Sequence, residues 1–146
     1  MTYSISFDHP LLRHQSRTIR LTEESFVDDI APARTFTFLK EVEMLRRQGL
    51  ALGGSLENAI VIGDTGVLNH ALRFDDEFVR HKILDVIGDM ALVGRPIIGH
   101  LVAHRAGHAL HTAFAAHVLR ETEAWAIVEA GAPSVPPVRV GDAVRA

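Results

Sequence analysis

In the stretch DEFVRHKILDVIGD, residues 76–89, His81, Lys82, Asp85 and Asp89 stand among apolar residues that recur at helical spacing. At about 100° per residue, His81 and Asp85 fall one turn apart on one face, and Gly88 and Asp89 continue the line. An imidazole and a carboxylate at i and i+4 both reach a single divalent ion, and zinc accepts both ligand types. The same two residues also suit a plain surface pair, with Asp89 a solvated charge. The spacing alone does not choose between them. Gly88 costs about 1 kcal/mol relative to alanine in a helix interior, which suggests a close approach there.

The chain has nine histidines. His108 follows a glycine at the start of a helical pattern, where a turn can present a side chain for chemistry. His70, His100, His104, His111 and His117 read as structural or surface residues, and His9, in DHP, as a turn residue. Lys82 is one of two lysines against 13 arginines (15 basic residues less two). It is either a solvated helix-flank residue or a cation placed beside the candidate metal pair. Phe36 and Phe38 alternate with Thr35 and Thr37 in RTFTF, a pattern that simple core packing also explains.

The elements that must position these groups follow from patterning. Alternation predicts strands at Tyr3–Phe7 and Arg17–Leu21, joined by a loop around HPLLRHQ. Thr22 followed by Ser25 and acidic residues predicts a capped short helix. A helix through Leu39, Val42, Leu45 and Arg46 stops at Gly49. LALGGSLENAIVIGDTGVLN reads as a strand, a turn at Gly53–Ser55, a strand at Ala59–Ile62 and a second turn. Asp75 and Asp76 suit the N-cap of a helix running from Glu77 to about Leu92. IIGHLVAH reads as a buried strand, and HALHTAFAAHVLRETEAWAIVEA as a last helix. Strands mixed irregularly with helices predict an α+β domain, a layered sheet packed on two main helices. One domain is expected over 1–131, with a small β-containing insert at about 50–69. The Pro-containing segment 132–146 is expected to be a flexible tail.

Composition limits the function classes. The apolar fraction of 47% and charged fraction of 23% are those of a chain with a real core. A net charge of −3 argues against general nucleic-acid binding, which needs a basic surface. The absence of cysteine removes disulfides and thiolate catalysis and fits a reducing cytoplasm. No apolar stretch is long enough to span a bilayer, and MTYSISFDHP lacks the core of a signal peptide. A soluble chain, not an integral membrane protein, is expected.

The segments ARTFTFLKEVEMLRRQGLALGGSLENAIVIGDTGVLN, LRFDDEFVRHKILDVIGDMALVGRPIIG and AGHAL closely resemble the LpxC family. These are zinc-dependent UDP-acyl-N-acetylglucosamine deacetylases of lipid A biosynthesis. YSISFDHP resembles the opening of that enzyme's second domain, and the likeness covers roughly residues 3 to 128. It implies the second of two similar α+β domains, with the active site between them. The zinc ligands it implies are His81 and Asp85. The third ligand, a histidine, and the general-base glutamate beside it belong to the first domain, which no segment here resembles.

By the same resemblance, His108 stabilises the oxyanion or protonates the leaving amine, and Asp89 orients it. Thr35 lies beside the oxyanion. Lys82 and Arg105 hold the pyrophosphate, Phe7 stacks on uracil, and Phe36 and Phe38 line the sugar and acyl region. The segment LALGGSLENAIVIGDTGVLN is similar to the insert that forms the acyl-chain passage. Ala106 replaces a usual serine, Glu41 a usual aspartate, and Arg105 a usual lysine. The resemblance implies hydrolysis of the N-acetyl amide of UDP-3-O-(3-hydroxyacyl)-N-acetylglucosamine, releasing acetate. The expected partner is the missing N-terminal deacetylase domain, in cis or in trans. The alternatives are a non-catalytic UDP-sugar-binding module or a partner-docking domain.

Overall fold

Strand β1, Thr2–Ile5, buries Tyr3 and Ile5 on one side and turns its intervening residues outward. The computed structural model describes residues 1–10 and 12–129, and the expected tail at 132–146 lies outside the described residues. β1 is the centre of a three-stranded sheet. Strand β2, Gln15–Thr18, pairs with it antiparallel, and strand β5, Val102–His104, pairs parallel on the other edge. The first two strands are shorter and earlier than alternation predicts. Thr2 stands opposite Thr18 and Ile5 opposite Gln15. Phe7 lies beyond β1, its N–H donating to the Leu12 carbonyl at 2.9 Å inside the connecting loop.

Thr22 caps the next element as its sequence suggests. Its hydroxyl accepts from the Ser25 N–H at 3.1 Å, while the Ser25 hydroxyl accepts from the Thr22 N–H at 2.9 Å, the reciprocal pair of a capping box. This turn, α1, Glu23–Ser25, runs on as a π-helical turn over Phe26–Ile30, which buries Ile30. Strand β3, Thr35–Phe38, pairs parallel with β4, Ala59–Ile62, as a separate two-stranded sheet. Helix α2, Leu39–Arg47, lies between them in sequence.

No strand forms ahead of the turn at Gly53–Ser55. Gly49 and Ala51 both take left-handed φ, +73° and +54°, so the chain turns instead of extending, a conformation that strand pairing does not admit. Leu50 and Leu52 are left exposed.

Helix α3, Glu77–Met90, buries Phe78, Val79, Ile83, Val86 and Met90 against the core side of β1 and β2. A 3₁₀ turn at Ala91–Val93 follows, and Gly94, at φ +77°, ends it. Asp76 occupies the N-cap position, but its carboxylate does not cap the helix. It is drawn to the guanidinium groups of Arg17 and Arg80.

Helix α4, His108–Arg120, packs on α3 and buries His111 and Ala115. It ends ten residues earlier than the pattern predicts. The indole of Trp125 folds back to donate to the Val118 carbonyl at 2.7 Å. The buried strand expected over 97–104 is also corrected. Only Val102–His104 is extended and paired; Val102 is exposed on this edge strand, and Ile97 and Ile98 are exposed in the irregular stretch before it. Apolar character alone reported burial that the topology does not supply. No described helix is long and apolar enough to cross a membrane.

Candidate functional site

The polar stripe of α3 faces the N-terminus of α4 and the start of β3, and one buried ion pair ties these pieces together. Arg34 immediately precedes β3, and Glu77 is the first residue of α3. The Arg34 backbone N–H and Nε donate to Glu77 Oε1 at 3.0 and 2.8 Å, and its Nη2 donates to Oε2 at 3.0 Å. The Arg73 N–H adds a fourth donor at 2.7 Å. Glu77 is fully buried and Arg34 is 8% exposed, so each charge depends on the other for its solvation. Burial alone would raise the Glu77 carboxyl, but the Arg34 and Arg73 donors outweigh it and hold it below the usual range. Thr35 is thereby fixed one residue from the bridge and His81 one turn along the helix from it.

Thr35, Phe36, His81, Lys82, Asp85, His108 and Phe7 line a single cleft. His81 Nε2 lies 3.2 Å from Asp85 Oδ1, and His81 Nδ1 lies 3.2 Å from the Ala33 carbonyl. A carbonyl only accepts, so Nδ1 carries the proton there and Nε2 is turned toward the carboxylate. Two acceptor atoms face each other across 3.2 Å, an arrangement that calls for a cation between them, either a proton or a metal.

Two ligands of a tetrahedral zinc stand about 3.3 Å apart at ordinary bond lengths. The backbone contact at Nδ1 is the usual outer partner of a metal-binding histidine. These residues therefore fit the ion. Lys82 Nζ holds the other oxygen, Oδ2, at 2.6 Å. Burial works to raise the Asp85 carboxyl, yet His81 and Lys82 together lower it to about 2.

Asp89 serves the second half of the cleft. Its Oδ2 takes His108 Nδ1 at 2.8 Å and His111 Nδ1 at 2.7 Å. His108 Nε2 then points back toward Asp85 Oδ1, 3.9 Å away. His111, only 4% exposed, continues through Nε2 to the Tyr3 hydroxyl at 2.9 Å.

Asp89, His108 and His111 also bring three ligand-type atoms within 4.8 Å of one another. Both Nδ1 atoms, however, sit at hydrogen-bond distance from one oxygen, the geometry of shared protons. A zinc ion would need bonds of about 2.0–2.2 Å to each atom from a point between them. The facing pair His81–Asp85 suits an ion better.

The aromatic residues stack edge to face. Phe36 meets Phe7 at 5.8 Å, Phe78 at 5.2 Å and His81 at 6.2 Å between ring centroids. Phe38 sits 6.3 Å from Phe7 but does not line the cleft. Arg105 is not brought to the His81–Asp85 cleft either. It lines an adjacent hollow with Ile5, Ser6, Phe7 and Asp8, so Phe7 is common to both. A Cβ built at Gly88 meets none of the chain's own atoms within 4 Å, so no contact inside the chain calls for the glycine.

Sequence reasoning missed Arg34, Glu77 and Tyr3, and it put His111 among structural or surface residues. His111 is structural, but in direct contact with the candidate chemistry. For Tyr3, inward alternation in β1 was the available signal, although it carried no hint of a polar partner.

These features gather a facing His–Asp pair, a lysine and a second histidine in one cleft of an α+β layer. The family model for the LpxC, UDP-3-O-acyl N-acetylglycosamine deacetylase, matches residues 1–120, and the chain belongs to this family. It is 57% identical over 121 residues to a UDP-3-O-acyl-N-acetylglucosamine deacetylase of Leptospira biflexa, covering 83% of this chain and 40% of the relative. The enzyme of the same name from Syntrophotalea carbinolica is 51% identical over 132 residues, covering 90% and 43%. That from Oleidesulfovibrio alaskensis is 61% identical over 113 residues, covering 77% and 37%. The chain thus spans about two-fifths of the length of these curated relatives.

Proposed function

We propose that this chain forms the C-terminal half of a zinc-dependent deacetylase that hydrolyses the N-acetyl amide of a UDP-3-O-acyl-N-acetylglucosamine and releases acetate. The observation that carries the reading is the His81–Asp85 pair, 3.2 Å apart with His81 Nδ1 already committed to the Ala33 carbonyl. His81 and Asp85 are the residues that would hold zinc. When bound, the ion supplies Lewis acidity for water and for the amide carbonyl.

The remaining roles belong to the chain's own side chains. Asp89 fixes His108 through Nδ1, which leaves Nε2 free to hold a proton beside the cleft and deliver it to the leaving amine. The exposed Thr35 hydroxyl serves as a hydrogen-bond donor to the developing oxyanion. Lys82 and Arg105 are cations for the pyrophosphate, Phe7 a stacking surface for the uracil, and Phe36 and Phe38 apolar contacts for sugar and acyl chain. Lys82 must exchange its Asp85 contact to reach a phosphate, and a cation held by Asp85 would weaken that contact.

Two protein ligands are fewer than the three of an ordinary catalytic zinc site. The third ligand and the general base are therefore assigned to an N-terminal domain, in cis or in trans. The exposed Ile97, Ile98 and Val102 are apolar surface that such a domain would cover. The cysteine-free composition supports a cytoplasmic setting.

The test is acetate release from the UDP-acyl-N-acetylglucosamine with zinc. The chain is assayed alone and joined to the N-terminal part of the Leptospira biflexa relative. Turnover only in the joined form is expected. Robust turnover by the chain alone contradicts its incompleteness. A joined form that binds UDP in calorimetry without releasing acetate favours the non-catalytic binding alternative.

A further inference from the structure

The group Tyr3–His111–Asp89–His108 runs from the buried face of β1 to the cleft and links four side chains through three hydrogen bonds. Its proton count is constrained. The Tyr3 hydroxyl has one hydrogen and donates it to the Ala106 carbonyl at 2.8 Å, an atom that can only accept. Burial, with Asp85 and Asp89 nearby, pushes the Tyr3 phenol upward, so it keeps that hydrogen. At the Tyr3 oxygen, therefore, His111 Nε2 must be the donor. At the other end, His111 Nδ1 donates to Asp89 Oδ2. Both ring nitrogens of His111 are occupied as donors, in a side chain that is 4% exposed.

Asp89 lies at the far end of the polar stripe, and its Oδ2 has two partners, one buried and one 68% exposed. An exposed imidazole does not hold a carboxylate in place. A buried one, itself braced on β1, does.

We propose that His111 is a positioning residue that, as a two-proton donor strung between Tyr3 and Asp89, fixes the carboxylate on which His108 depends for its orientation. This deepens the reading of His108 as a catalytic group, and it couples the sheet to the cleft through a residue that does not touch substrate. The recognition is local and chemical. Any side chain at 111 with an N–H directed at Asp89 fills the first part of the role, and only one with a second donor directed at Tyr3 fills both.

The experiment reads ring nitrogens by long-range ¹H–¹⁵N correlation in the 146-residue chain, so it needs no turnover. Failure of the deacetylase reading therefore remains separate from failure of this one. In the unaltered chain, His111 shows two protonated nitrogens, and neutral His108 shows its proton on Nδ1. His111→Leu abolishes the Nδ1-protonated signal of His108. His111→Asn, which keeps a donor toward Asp89, restores it. Tyr3→Phe removes the acceptor at Nε2 and leaves His111 with a proton on Nδ1 only. A His111 with a single protonated nitrogen in the unaltered chain overturns the proposal. So does a His108 signal unmoved by His111→Leu, or one lost equally with leucine and asparagine at 111. Should the leucine variant not fold, the Tyr3→Phe spectrum decides.

Discussion

His81 Nε2 faces Asp85 Oδ1 across 3.2 Å, one helical turn apart, while the opposite ring nitrogen of His81 is taken by the Ala33 carbonyl. The ring is thus held between backbone from before β3 and a carboxylate of its own helix. That backbone is in turn held by Arg34 and Glu77. Removing the brace is expected to cost more than removing a contact. Glu77→Ala leaves Arg34 charged, nearly buried and unpaired, and should destabilise the chain by about 3–5 kcal/mol. Urea unfolding followed by circular dichroism measures it. A loss below about 1 kcal/mol would show that Arg34 finds solvent once freed.

Acid should act on the same wall. Asp85 is held at about 2 against an ordinary 3.8, a depressed carboxyl whose charged form the fold favours. Its contribution is complete above the unfolded value near 4 and is lost as pH falls toward 2. The shift corresponds to about 2 kcal/mol. Unfolding free energy of the metal-free chain is therefore expected to fall more steeply between pH 4 and 2 than that of Asp85→Asn. Parallel curves would contradict the assignment.

Much of this wall was legible from α3 alone. The apolar period Val79–Ile83–Val86–Met90 marks the buried face, so the stripe His81–Asp85–Asp89 had to lie elsewhere, as it does. Thr22 announced its own capping box. What was not legible lies in long-range pairing. Glu77 meets Arg34 across 43 residues and His111 meets Tyr3 across 108, and neither partner alters local periodicity. Strand extent failed for a related reason. Apolar runs at Leu50–Leu52 and Ile97–Ala103 look like core, but left-handed φ at Gly49 and Ala51 prevents one strand, and most of the other run stays outside the short edge strand β5.

Gly88 supplies a prediction from the space around it. A Cβ at this position meets nothing, and its helical backbone is not in the left-handed region. Gly88→Ala should therefore stabilise the chain by about 0.5–1 kcal/mol, the intrinsic helix preference. Thermal unfolding reads this directly. Destabilisation would mean that a Cβ at 88 meets a neighbour within the chain and would contradict the open space around it.

The central claim is that His81 and Asp85 are a zinc-ligand pair. Its most direct test is a zinc titration of the 146-residue chain against a chromophoric chelator, with His81→Ala, Asp85→Ala and the exposed control His100→Ala. Binding weaker than that of a three-ligand catalytic site is predicted. It should fall by about tenfold or more with either ligand removed and stay unchanged in the control. Zinc affinity that survives both substitutions, or that is lost instead with Asp89 or His111, would contradict the account.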